Sequence, residues 1–174
     1  MKHTEFVKLL SKSVEQLQAE KGDNISEDDI REKAISIYNS KSHRKYLLKK
    51  ECGDRIDMVI YNKQQGEGCI HSIYELKTYF KNFEEIEMAA IRQDFVKLHK
   101  KKQSNNNVKA YFIMISTYNH LEYYSKHKKN KDFIDPLYKK KDNASLNTRG
   151  KDISFVPRKE YARDKFRISI WEIL

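Results

Sequence analysis

Residues 108–116 read Val-Lys-Ala-Tyr-Phe-Ile-Met-Ile-Ser. A run so short and so apolar fits a strand covered on both faces, which makes it a central strand of a sheet. Part of its cover lies just upstream. Over residues 84–102, Met88, Ile91, Phe95 and Leu98 recur at helical spacing. A hairpin precedes that helix. Residues 54–61 (Asp-Arg-Ile-Asp-Met-Val-Ile-Tyr) and 69–79 (Cys-Ile-His-Ser-Ile-Tyr-Glu-Leu-Lys-Thr-Tyr) are mostly β-formers. The polar stretch 62–68 between them carries Gly66 and Gly68, which is turn chemistry.

Two helices come first. Phe6, Leu9, Leu10, Val14 and Leu17 mark one over 4–20, ended by Lys21-Gly22-Asp23-Asn24. Ser26-Glu27-Asp28-Asp29 then reads as a capping box, with Ile25 and Ile30 as its staple, opening a second helix that runs to about Asn39. At the other end, Phe166, Ile168 and Ile170 alternate with Arg167, Ser169 and Trp171, as a last strand would. Residues 119–150 look basic, aromatic and irregular. The expected class is α/β: a mixed β-sheet flanked by helices in one domain over 1–174. Within it, 1–24 is a helix outside the core, 25–117 holds the core, and 118–174 is a basic segment with the last strands.

No apolar run approaches the ~20 residues of a membrane span, so no membrane is expected as partner. Met1 to Glu5 lacks a secretion pattern. Cys52 and Cys69 are the only cysteines; they read as reduced thiols without a disulfide partner, and the expected compartment is the cytoplasm. The net charge is +10, but it is not spread evenly. Residues 96–141 carry 12 basic and 3 acidic side chains, whereas residues 1–95 are nearly balanced. A segregated basic block calls for a polyanion, most simply nucleic acid.

Asp57, Glu75 and Lys77 carry the chemistry. Glu75 and Lys77 are two apart on a strand and leave the same face. Opposed residues of a hairpin have a constant sum of numbers, and Asp57 opposite Glu75 centres the turn on Gly66, inside the expected turn. Two carboxylates side by side repel unless a cation sits between them. Mg²⁺ is the natural guest, because it binds through one or two carboxylates and keeps waters. A third acid is available. Glu27 shares a helix stripe with Ile30, Ala34 and Ile37, while Glu32 points away from Ile30.

These residues resemble the PD-(D/E)XK, or restriction-endonuclease-like, nuclease superfamily. The pattern is Ile56-Asp57, then Glu75-Leu76-Lys77, with Ile56 where the family has proline. The resemblance spans about residues 26–117 and implies an αβββαβ core. It implies that Asp57, Glu75 and Glu27 bind Mg²⁺, with Mn²⁺ as a substitute, and that Lys77 orients or activates the attacking water. In the helix Ile91-Arg92-Gln93-Asp94-Phe95, Arg92 and Gln93 become candidates to touch the scissile phosphate or the water. The implied activity is metal-dependent hydrolysis of DNA by a restriction-like or phage-defence endonuclease. A homodimer would address both strands, with residues 1–20 as a dimerising element.

Lys97, Lys100 and Lys101 on that helix are expected at nucleic acid, as are Tyr118, Lys126, Lys128, Lys129, Lys139, Lys140 and Arg149 beyond it. Several readings stay open. Asp57 and Lys77 would also suit a cross-strand ion pair. The third acid is Glu27 or Glu32, and Glu27 would equally suit the helix dipole. His71 and Cys69 share the face of Glu75 but suit packing as well. A protein that binds nucleic acid without cutting it, or a nuclease acting on RNA or in repair, fits the same residues.

Overall fold

The computed structural model describes residues 3–40, 45–50, 56–65, 69–80, 88–117, 144–148, 150–162 and 165–174. Among these residues three α-helices and seven strands follow in the order α1 (His3–Lys21), α2 (Glu27–Asn39), β1 (Tyr46–Lys49), β2 (Met58–Asn62), β3 (Ile70–Tyr79), α3 (Met88–Ser104), β4 (Lys109–Ser116), β5 (Ala144–Thr148), β6 (Lys151–Ala162) and β7 (Arg167–Ile173). The strands form one mixed sheet, β1-β2-β3-β4-β7-β6-β5. Only β3 and β4 run parallel. Parallel neighbours need a crossover, and α3 supplies it.

The sheet has a hydrophobic core on each face. Tyr74 and Leu76 of β3, Ile113 of β4 and Ile168 of β7 pack with Leu10 of α1 and Ile30 of α2. The alternate residues Ile73, Phe112 and Trp171 pack with Ile91, Phe95 and Leu98 of α3. From Ala110 to Ser116 β4 is buried throughout, as its apolar run requires.

The hairpin register is the one the numbering sum predicts. Met58 pairs with Tyr74, Val59 with Ile73 and Ile60 with Ser72, and the ladder shifts only at Tyr61. The next step beyond Met58 sets Asp57 against Glu75. Asp57 itself lies in a bend just before β2 rather than inside the strand.

Four expectations need correction. The helix expected outside the core is part of it: Phe6, Val7, Leu10, Val14 and Leu17 of α1 are at most 4 % exposed. Its apolar face is therefore consumed within the chain and is not left for a dimer. β1 was not expected, because four residues with one fully buried position carry too little pattern. β5 falls where an irregular segment was expected. The last strand is buried on both faces, with Ser169 and Trp171 covered as well as Ile168 and Ile170. No disulfide occurs among the described residues, and none of their helices is long and apolar enough to cross a membrane.

The capping box forms as read. Asp29 N–H donates to Ser26 Oγ at 3.1 Å, and Ser26 N–H donates back to Asp29 Oδ2 at 3.0 Å. Lys21 reaches the same carboxylate at 2.6 Å. The cap fixes where α2 starts, and so where Glu27 and Arg31 stand. Ser26→Ala should cost about 1 kcal/mol. For a chain of this size that lowers a thermal midpoint by about 2–4 °C.

Candidate functional site

The site gathers where the start of β2, the middle of β3, the first turns of α2 and the middle of α3 meet. Asp57 is held by backbone: Leu76 N–H donates to its Oδ2 at 2.7 Å. That bond ties the bend before β2 to the strand carrying Glu75. Glu75 is 1 % exposed and faces α3, where Lys97 Nζ donates to its Oε1 at 2.7 Å. Lys77, two residues on, shares that face. Its Nζ lies 3.3 Å from Asp94 Oδ2 and 3.5 Å from Glu27 Oε2. Asp94 Oδ1 is also 3.3 Å from Lys97, so this one acid spans both lysines. Glu27 Oε1 accepts the Thr78 N–H at 3.2 Å, which pins the start of α2 to the end of β3.

Four carboxylates (Glu27, Asp57, Glu75, Asp94) and three cations (Arg31, Lys77, Lys97) thus share one half-buried cluster. Burial pushes the Glu75 carboxyl up to about 9, and the Asp57 charge adds to it while Lys97 opposes. Glu27 is raised too, by burial first and by Asp57, against the pull of Lys77. Burial works against the charge on Lys77, but Asp94 and Glu27 outweigh it and hold the ammonium above its usual range. Lys97 behaves alike, with Glu75 and Asp94 outweighing burial. Both lysines therefore stay charged at neutral pH.

A hard divalent cation suits this chemistry. The Asp57 charge disfavours a charge on buried Glu75, and a cation between them would relieve it. The three-acid set expected from sequence does not assemble. Among the described residues no three His, Cys, Asp or Glu side chains stand together as a metal-holding group. Glu27 spends its oxygens on Thr78 and Lys77 instead. Two carboxylates still suffice for Mg²⁺, which keeps several waters.

Of the other expected residues, Arg92, Gln93 and Lys100 are exposed on α3. With Ala89, Val96, Lys97 and Thr148 they line a groove of ≈ 500 Å³ that opens beside the cluster. Lys97 belongs to the acid cluster as much as to the groove, which its expected role at nucleic acid did not anticipate. Lys101 is half-buried towards the end of α3, and Glu32 is exposed. His71 packs against Tyr46, with ring centroids 4.8 Å apart and the ring planes tilted by 59°. Cys69 is exposed. Tyr118, Lys126, Lys128, Lys129, Lys139, Lys140 and Arg149 lie outside the described residues.

Two members of the cluster were missed. Asp94 sits on the stripe formed by Ile91, Phe95 and Leu98, where a carboxylate needs a partner. Arg31 follows Glu27 by four positions on the edge that singled out Glu27. It is 8 % exposed, donates from Nη1 to Asp57 Oδ1 at 2.6 Å and pairs with Asp28. A charged residue on a buried stripe was the signal in both cases. No protein-family model, curated protein or solved structure matches this chain.

Proposed function

We propose that this chain is a metal-dependent nuclease that hydrolyses phosphodiester bonds, with DNA as substrate, on a restriction-endonuclease-like core. The observation that carries the reading is the convergence of Asp57, just before β2, with Glu75 and Lys77 of β3 into one half-buried cluster. The order α2-β1-β2-β3-α3-β4, with β3 parallel to β4, supports it, because it is an αβββαβ arrangement. The unexpected β1 supplies the third strand of that series. The groove bearing Arg92, Lys97 and Lys100 gives a phosphodiester backbone a cationic approach.

Asp57 and Glu75 would hold Mg²⁺ or Mn²⁺, and the ion would supply charge neutralisation and a more acidic water. The chain's own groups do the rest. Leu76 N–H and Arg31 fix the Asp57 carboxylate. Lys97 orients Glu75. Lys77, kept as an ammonium by Asp94 and Glu27, can donate to a water or a phosphate oxygen but holds no lone pair to accept a proton. Its part is to orient the nucleophile and to offset charge on the phosphate.

Plasmid, linear duplex and RNA of the same sequence, each with Mg²⁺, Mn²⁺ or chelator, test the reading. Wild type should cut DNA only with metal, and Lys77→Ala should cut about 10²–10³-fold more slowly. Cutting confined to RNA would move the substrate and keep the chemistry. Metal-independent cutting would keep the nuclease and remove the metal from it, whereas no cutting together with a salt-sensitive gel shift would remove the enzyme and leave a binding protein.

A further inference from the structure

We infer that Arg31 is a built-in counter-cation that competes with a divalent ion for Asp57 and so sets how tightly the site takes metal. The inference rests on the reading of Asp57 as a metal ligand. Leu76 N–H holds Asp57 Oδ2 and so fixes the carboxylate, which leaves Oδ1 turned to Arg31. That oxygen receives Arg31 Nη1 at 2.6 Å, a short charge-assisted contact. A divalent ion on the same carboxylate would face the guanidinium as a like charge, so the contact must lengthen or break as the ion binds.

Three features equip Arg31 to let go. It already pairs with Asp28, whose side chain is 64 % exposed, so a second anion stays in hand when Asp57 is taken. Its Nε is buried without a hydrogen-bond partner among the described residues. Finally, Arg31 lines a cavity of ≈ 560 Å³ with Glu27, Asp28, Thr78 and Phe80, which leaves room for the guanidinium to withdraw. The strength of the Arg31–Asp57 contact is thus subtracted from metal affinity. Metal uptake in turn frees a guanidinium beside the site.

Calorimetric titration of the full chain with Mn²⁺ tests this, and no substrate is needed. Arg31→Gln should bind Mn²⁺ about tenfold tighter than wild type, the size of one charge-assisted hydrogen bond. Adding Asp57→Asn to it should erase the gain. Without metal the Gln variant should melt lower, because Asp57 loses its partner. With Mn²⁺ its midpoint should rise by more than that of wild type. A merely structural arginine would give the opposite, with weaker binding once it is lost. Equal or weaker Mn²⁺ binding by a variant that circular dichroism shows to be folded therefore overturns the inference and leaves the metal reading standing. No Mn²⁺ binding by any of the proteins overturns both. Should Arg31→Gln fail to fold, Arg31→Lys keeps a cation that cannot grip Asp57 and Asp28 as one fork, and about threefold tighter binding is expected of it.

Discussion

Glu75→Gln should make the protein more stable above neutral pH while removing its cutting. In the folded chain the Glu75 carboxyl keeps its proton to about 9, chiefly because it is buried. In the unfolded chain it loses that proton near its ordinary value of 4.5. Between those limits the folded state binds more protons than the unfolded one, so stability falls as pH rises. The contribution is complete below about pH 4.5 and gone by about pH 9. Glutamine keeps the shape and still accepts from Lys97, but it has no charge to bury. At about 1.4 kcal/mol per tenfold change in proton affinity, and allowing for relief by Lys97, the gain at pH 8.5 is about 2–4 kcal/mol. That raises the melting midpoint by roughly 4–16 °C. Glu27 is shifted in the same direction, so the variant's profile should flatten without becoming level. Cleavage should drop about 10²–10³-fold, because one of two metal-holding carboxylates is gone. Melts from pH 5 to pH 9 decide the matter. Parallel profiles for the two proteins would mean that Glu75 is charged in the folded state and pays no penalty for burial.

Legibility followed the strength of the local pattern. Ser26 and Asp29 form a chemical match three residues apart, and the capping box appears as read. The hairpin register followed from one pair and one turn, because a slip by one residue would turn every side chain to the wrong face. Helical phase set Glu27 on the covered edge of α2 and Glu32 away from it, and in the fold Glu27 is half-buried and Glu32 exposed. Harder to see was anything fixed by partners distant in sequence. Strand β5 reads Ala-Ser-Leu-Asn-Thr, with polar residues outnumbering apolar ones, and it becomes a strand because β6 pairs with it. Likewise, Asp94 and Arg31 were visible as charges on buried stripes, but their partners Lys77 and Asp57 come from other elements. The basic block over 96–141 was the plainest compositional signal, and its part from residue 118 on falls outside the described residues.

Helix α1 gives the sharpest separation between a pattern and its use. Its stripe of apolar residues fits a helix that docks on a second copy equally well, since amphipathicity says that a face is covered but not by what. Here the cover is the chain's own sheet and α2. Leu10 is 0 % exposed, in one cluster with Ile30, Tyr74, Ile113 and Ile168. Leu10→Ala should therefore leave a cavity at the centre of that layer and cost about 3–4 kcal/mol. For a domain of this length the thermal midpoint should fall by roughly 6–16 °C. The molecular mass in solution should not change. Light scattering and a melt on the same sample separate the two uses of the face: a helix buried at a dimer interface would lose mass on substitution, with a midpoint that depends on protein concentration. A fall in midpoint that is independent of concentration places Leu10 inside its own subunit. Any dimer of this protein must then be built from another surface, and α1 instead braces the side of the sheet opposite α3, behind Glu75 and Lys77.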